Sequence, residues 1–122
     1  MFVKILTTIF VLLFFDLIYF YFMNDMLSKQ ILQIQGSPLV MDYFAVALCY
    51  IFLAFGLYYF VLREKRSLLD AFLLGIVIYA VYETTTKASL KKWSYKIVVL
   101  DTLWGGILFT LTTFVLRKFF SF

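Results

Sequence analysis

The chain has 122 residues, of which 65% are hydrophobic and 15% charged, and a mean hydropathy of +0.99. A soluble domain this small has too little interior to hide so much apolar surface, so a bilayer must supply the rest. The net charge of +4 comes from basic residues clustered between apolar runs, which points to membrane lipids as partners and to no nucleic acid.

The first apolar stretch runs from Phe2 to Phe22, interrupted by Lys4, Asp16 and Thr7-Thr8. Lys4 before an apolar run resembles the start of a signal peptide. The stretch is long, however, contains Asp16 and lacks a small-residue cleavage site, so a retained helix is expected. Next comes a polar connection, Asn24 to Asp42, whose Ile31, Leu32 and Ile34 suggest a short interfacial helix before the Gly36-Ser37-Pro38 turn. The second stretch, Tyr43 to Leu62, carries no charge. Arg63-Glu64-Lys65-Arg66 forms a tight connection, and Ser67 is a suitable N-cap for the third helix.

That third helix is apolar from Leu68 to Tyr82 apart from Asp70, and reaches spanning length if it continues through Glu83 to Thr86. Lys87 to Lys96 is a basic connection with Trp93 and Tyr95 as interfacial anchors. The fourth stretch, Ile97 to Leu116, contains Asp101. Spans of about 20 residues cross about 30 Å of hydrocarbon as helices, and lipid forbids open strands. The expected fold is therefore all-α: a polytopic membrane four-helix bundle in a single integral membrane domain, residues 1–122, with helices about 2–22, 43–62, 68–86 and 97–116. Four spans put both termini on one side. Lys4, Arg63, Lys65, Arg66, Arg117 and Lys118 flank that side, against Lys29, Lys87, Lys91, Lys92 and Lys96 opposite, so the count favours cytoplasmic termini.

Carboxylates within such stretches cost roughly 2.5–3.5 kcal/mol on insertion scales and usually face a bundle interior or a wet cavity. At 1.5 Å per residue, Asp16 lies about 9 Å from the non-terminal end of the first helix, and Asp101 about 6 Å from that end of the fourth. Glu83 closes the third helix at the same level. The acids thus converge near one membrane face, under a lysine-rich connection. Asp42 and Asp70, at helix starts, read as residues favoured by the helix dipole.

Thr84, Thr85 and Thr86 stand beside the acids, and their hydroxyls can donate to carboxylates. Tyr79, Glu83 and Thr86 share a broad helix face, as do Asp101, Trp104 and Gly105; Gly105-Gly106 permits close helix approach. The candidate ligand- or ion-binding set is Asp16, Glu83, Thr85, Thr86, Lys91, Asp101 and Trp104. An alternative is that Asp16 and Asp101 pair with Lys91, Lys92 or the threonines and only fix helix register. No cofactor is expected, although the carboxylates would suit a divalent cation through oxygen ligands. The chain has no histidine and a single cysteine, Cys49. That removes the commonest general base and argues against essential zinc.

The segment from Tyr82-Glu83-Thr84-Thr85-Thr86-Lys87 through Lys91-Lys92-Trp93 to Asp101-Thr102-Leu103-Trp104-Gly105 resembles the membrane-protein family catalogued as domain of unknown function 2177. Asp16-Leu17-Ile18-Tyr19 fits the same pattern, and Gly56 and Gly75 are compatible with it. Glu83 stands where that pattern has aspartate, and Thr86 where it has asparagine. The resemblance implies a four-helix membrane fold and a shared site of Asp16, Glu83, Thr85, Lys91, Trp93, Asp101 and Trp104, but no activity.

Three functions are open at this point. Intramembrane acids suit proton, ion or small-solute transport, with a homo-oligomer or membrane complex supplying room for a path. Alternatively, acids at headgroup depth beside lysines suit a site that binds or modifies a lipid or amphiphile. The third is a non-catalytic subunit of a membrane assembly. No recognised catalytic motif marks the chain as an enzyme.

Overall fold

The computed structural model describes residues 1–122 as four helices: α1, Phe2–Gln35; α2, Tyr43–Leu57; α3, Leu68–Ser89; and α4, Tyr95–Phe119. A π-helical segment, Tyr58–Leu62, continues α2 without a break, so each helical run is long and apolar enough to cross a membrane. Their ends follow local chemistry. Asp42 caps α2 by accepting from the Ala45 N–H at 3.2 Å, and Ser67 caps α3 through the Asp70 N–H at 3.1 Å. Asp70, in the first turn of α3, lies 3.8 Å from Arg66. Both aspartates are thus end residues, where an acid offsets unpaired N–H groups and the helix dipole.

α1 differs from expectation. It runs unbroken past Phe22 to Gln35 and ends at Gly36 in the left-handed region (φ 74°), so there is no separate interfacial helix. Thirty-four residues at 1.5 Å each reach about 51 Å, well beyond the hydrocarbon. The extension is not idle. Met26, Leu27 and Ile34 pack against Trp93, Ile97 and Val98. Buried Gln30 donates to the Lys92 carbonyl at 2.8 Å and accepts from the Ser94 N–H at 3.1 Å. The far end of α1 therefore clamps the connection between α3 and α4.

α3 and α4 form the tightest antiparallel pair, and α1 packs on both α4 and α2. The close approach follows from glycine. A Cβ on Gly75 would meet the Gly105 carbonyl oxygen at 2.2 Å, and one on Gly105 would meet the Tyr79 ring at 2.3 Å. Small residues of this kind let helix backbones approach in lipid, where packing drives association.

The core is thin. Only 24 of 122 residues are buried, and Phe10, Phe14, Phe52, Val77 and Val81 are among the many large apolar side chains facing outward. Lipid completes this fold. The main core, including Leu12, Ala54, Leu57, Leu108, Phe109 and Leu116, lies between the acid-bearing level and the terminal face.

Candidate functional site

Asp16 is 3% exposed and Glu83 1% exposed, so both carboxyl groups are inside the bundle. Asp16 accepts from the Tyr50 hydroxyl of α2 and from the Trp104 indole N–H of α4 at 2.7 Å. Asp101 accepts from the Tyr19 hydroxyl of α1. The Tyr19 and Trp104 rings stack with centroids 4.6 Å apart and planes 3° from parallel, joining the Asp16 and Asp101 halves of the cluster. Glu83 accepts from the Trp93 indole N–H at 3.1 Å. In the antiparallel α3–α4 pair Tyr79 packs on Gly105, and one turn further the same register sets Glu83 level with Asp101.

One aromatic donor set thus serves three acids carried on three helices, with α2 contributing Tyr50. Register explains the meeting. Asp16 with Trp104 and Tyr19 with Asp101 are consecutive rungs of one antiparallel α1–α4 ladder: three residues forward in α1 is three back in α4. The close α3–α4 approach then brings Glu83 beside Asp101.

Among the candidates read from the sequence, Asp16, Glu83, Asp101 and Trp104 come together. The threonines do not join them. The Thr84 and Thr86 hydroxyls donate to their own helix, to the Ala80 and Tyr82 carbonyls at 2.6 and 2.8 Å, and Thr85 faces outward. A helical threonine finds the carbonyl four residues back without moving, and that local bond outcompetes a distant acid.

Lys91 is exposed and forms no ion pair with an acid; it borders an open groove with Thr84, Lys87 and Tyr95. The Lys87 ammonium donates to the Lys91 carbonyl at 2.8 Å and lies 4.9 Å from the Tyr95 ring centroid. Trp93 is no simple interfacial anchor, since it is 8% exposed and turned inward onto Glu83. Tyr50 carried no signal in the sequence beyond lying in an uncharged helix. Its place on the buried stripe with Leu53, Ala54 and Leu57 was the available hint.

The acids have no basic counter-charge. The two ion pairs in the molecule, Arg63–Glu64 and Arg66–Asp70, both lie at the other end of the bundle. Nor do the acids converge into a group of three ligands able to hold a metal ion.

The family described as "Predicted membrane protein (DUF2177)" matches residues 1–116. The chain belongs to this family. The match covers α1 to α3 and all but the last three residues of α4, and with them every member of the aromatic–carboxyl cluster. This DUF2177 protein is accordingly a polytopic membrane protein with four candidate spans. No curated protein and no solved structure matches the chain.

Proposed function

We propose that this DUF2177 protein takes up and releases protons at the Glu83–Asp101 carboxyl pair, as a step in proton or proton-coupled transport across the bilayer. The observation that carries this reading is the want of any lysine or arginine against the acids. A register-fixing ion pair would set a basic side chain against one of them. Facing carboxyl groups inside a membrane protein are instead joined by a shared proton, and exchange of that proton is the elementary step of a relay.

Two further features favour protons over larger ions. The acids do not form a three-ligand metal set. Leu12, Leu108 and Phe109, each 0% exposed, pack the bundle on the terminal side of the cluster, which argues against a wide ion pore. Tyr19, bonded to Asp101 and stacked on Trp104, provides a hydroxyl through which a proton could pass between acid and surroundings.

The test is proton flux in liposomes holding the purified protein and an internal pH-sensitive dye. A potassium gradient with valinomycin supplies the driving force. The protein collapses an imposed pH gradient faster than empty liposomes, and Asp101→Asn, with unchanged helicity, returns the rate to the empty-liposome level. Full flux from a folded Asp101→Asn protein, or none from the unaltered one, overturns the reading.

A further inference from the structure

The face opposite the acids holds a second polar feature, which involves none of the proposed relay. A cavity of about 150 Å³, well above the roughly 30 Å³ share of one water, opens there. It is lined by Lys4 from the first turn of α1, by Tyr58 and Leu62 from the π-helical segment, by Arg63 and Lys65, and by Ser121 and Phe122. Two separate parts of the chain, α1 and the α2–α3 connection, thus bring three cations to one small space, and no acidic side chain lines it.

The backbone departs from regular geometry at this same place. Tyr58–Leu62 is π-helical, closed by the Arg63 N–H donating to the Tyr58 carbonyl at 2.8 Å. Such segments are rare and frequent at functional sites. Lys65 has φ 52°, in the left-handed region that glycine occupies without penalty and lysine does not. A turn selected only for tightness would place glycine there; this one places a cation.

Arg63 is partly committed, with its guanidinium 2.9 Å from the exposed Glu64 carboxylate and 3.9 Å from the Tyr59 ring centroid. Lys4 lies 5.4 Å from the Phe122 ring centroid and forms no ion pair; nor does Lys65. Two uncommitted ammonium groups, a polarised guanidinium and two hydroxyls suit one chemistry, a phosphate oxyanion.

We infer that this cavity is a phosphate-binding site at the terminal face, filled by the phosphodiester of an anionic lipid headgroup or by a soluble phosphate. At the end of a bundle whose flanks face lipid, the cavity lies at headgroup level. A headgroup could enter it while its acyl chains lie along α1 and the π-helical segment.

The decisive variant is Lys65→Gly. It removes a cation and relaxes the left-handed position, so it keeps or raises stability and any loss of binding is not a loss of fold. In detergent micelles, the intact protein retains phosphatidylglycerol in native mass spectra more strongly than phosphatidylcholine. Lys65→Gly weakens that retention about tenfold or more, the loss of a charge-assisted hydrogen bond to phosphate. Lys4→Gln does the same. Lys118→Gln, on the same face but outside the cavity, costs no more than about fivefold, the effect of a screened general attraction.

Displacement of phosphatidylglycerol by millimolar inorganic phosphate identifies a soluble phosphate as the ligand, and resistance to it identifies the lipid. Equal retention of the two lipids with no phosphate displacement overturns the inference. So does an equal loss from Lys118→Gln and Lys65→Gly.

Discussion

Tyr50 shows how much rests on single atoms in this cluster. Its hydroxyl and the Trp104 indole are the two donors to Asp16, a carboxyl group 3% exposed among apolar neighbours. Tyr50→Phe deletes one oxygen and leaves the ring packed, so the loss is that of one hydrogen bond to a buried acid. Such bonds are worth about 1.5–3 kcal/mol, and an unsatisfied partner in low dielectric keeps the cost near the upper end. The expected result is destabilisation by about 2–3 kcal/mol, read as a shift in unfolding in mixed detergent micelles. Asp16→Ala in the Tyr50→Phe background should then cost less than Asp16→Ala alone, because one of the two bonds it breaks is already gone. Additive losses from the two changes would show that the pair is not coupled.

Trp104 could be placed beside Asp101 by its spacing in the fourth helix, but that these side chains are the acids' donors was not legible in the sequence, for a reason specific to membrane proteins. Tyrosine and tryptophan near a membrane face are ordinarily interfacial anchors. Trp93, Trp104, Tyr19 and Tyr50 look the same whether they point to headgroups or to an acid. The acids were legible because helix rise is a ruler: once spans are counted, Asp16, Glu83 and Asp101 fall at one depth with no knowledge of rotamers.

Among the elements, the α3–α4 pair depends on glycine, whereas α2 is indifferent to it. Gly75→Ala places a Cβ 2.2 Å from the Gly105 carbonyl oxygen, a backbone atom that cannot swing aside, so the helices must separate. Separation draws Glu83 from Asp101, which faces it across the seam. A cost of about 1–3 kcal/mol is expected from overpacking. Gly56 in α2 is the contrast, because nothing lies within 4 Å of a Cβ added there. Gly56→Ala should stabilise by about 0.5–1 kcal/mol through helix propensity alone. Opposite signs for two identical changes, measured by thermal unfolding in one detergent, are the expected outcome. Equal effects would mean that the α3–α4 seam is not the tight contact described here.

The glycine pair Gly105-Gly106 announced a close approach in the sequence, but not its partner. The extension of α1 was missed because Asn24, Asp25, Ser28 and Gln30 read as loop residues. The signal available was the spacing of Met26, Leu27, Gln30 and Ile34, one stripe of a continuing helix. Gln30 lies on that stripe because its amide satisfies the turn carrying Trp93, a role that hydropathy cannot score.

Over the whole molecule, the α1–α4 ladder that pairs Asp16 with Trp104 arranges the buried residues in layers. One turn toward the terminal face it brings Leu12 level with Leu108, and two turns on, about 12 Å away, Thr8 level with Thr112. All four are 0% exposed. An acid layer is thus separated by a dry leucine layer from a threonine layer. The two threonines are not equivalent. Thr8 donates to the Lys4 carbonyl at 2.7 Å, whereas the Thr112 hydroxyl has no partner in the protein. A buried hydroxyl without a partner costs about 1–3 kcal/mol, and valine fills the same space without the oxygen. Thr112→Val should therefore stabilise the protein by about 1–2 kcal/mol. If the hydroxyl is kept at that cost because it carries protons between the leucine layer and the terminal face, the same variant lowers flux in the liposome assay. A gain in stability with unchanged flux would remove the threonine layer from the path while leaving the Glu83–Asp101 pair as a proton site. A loss of stability would show that Thr112 has a partner after all, and the layer would then be packing alone.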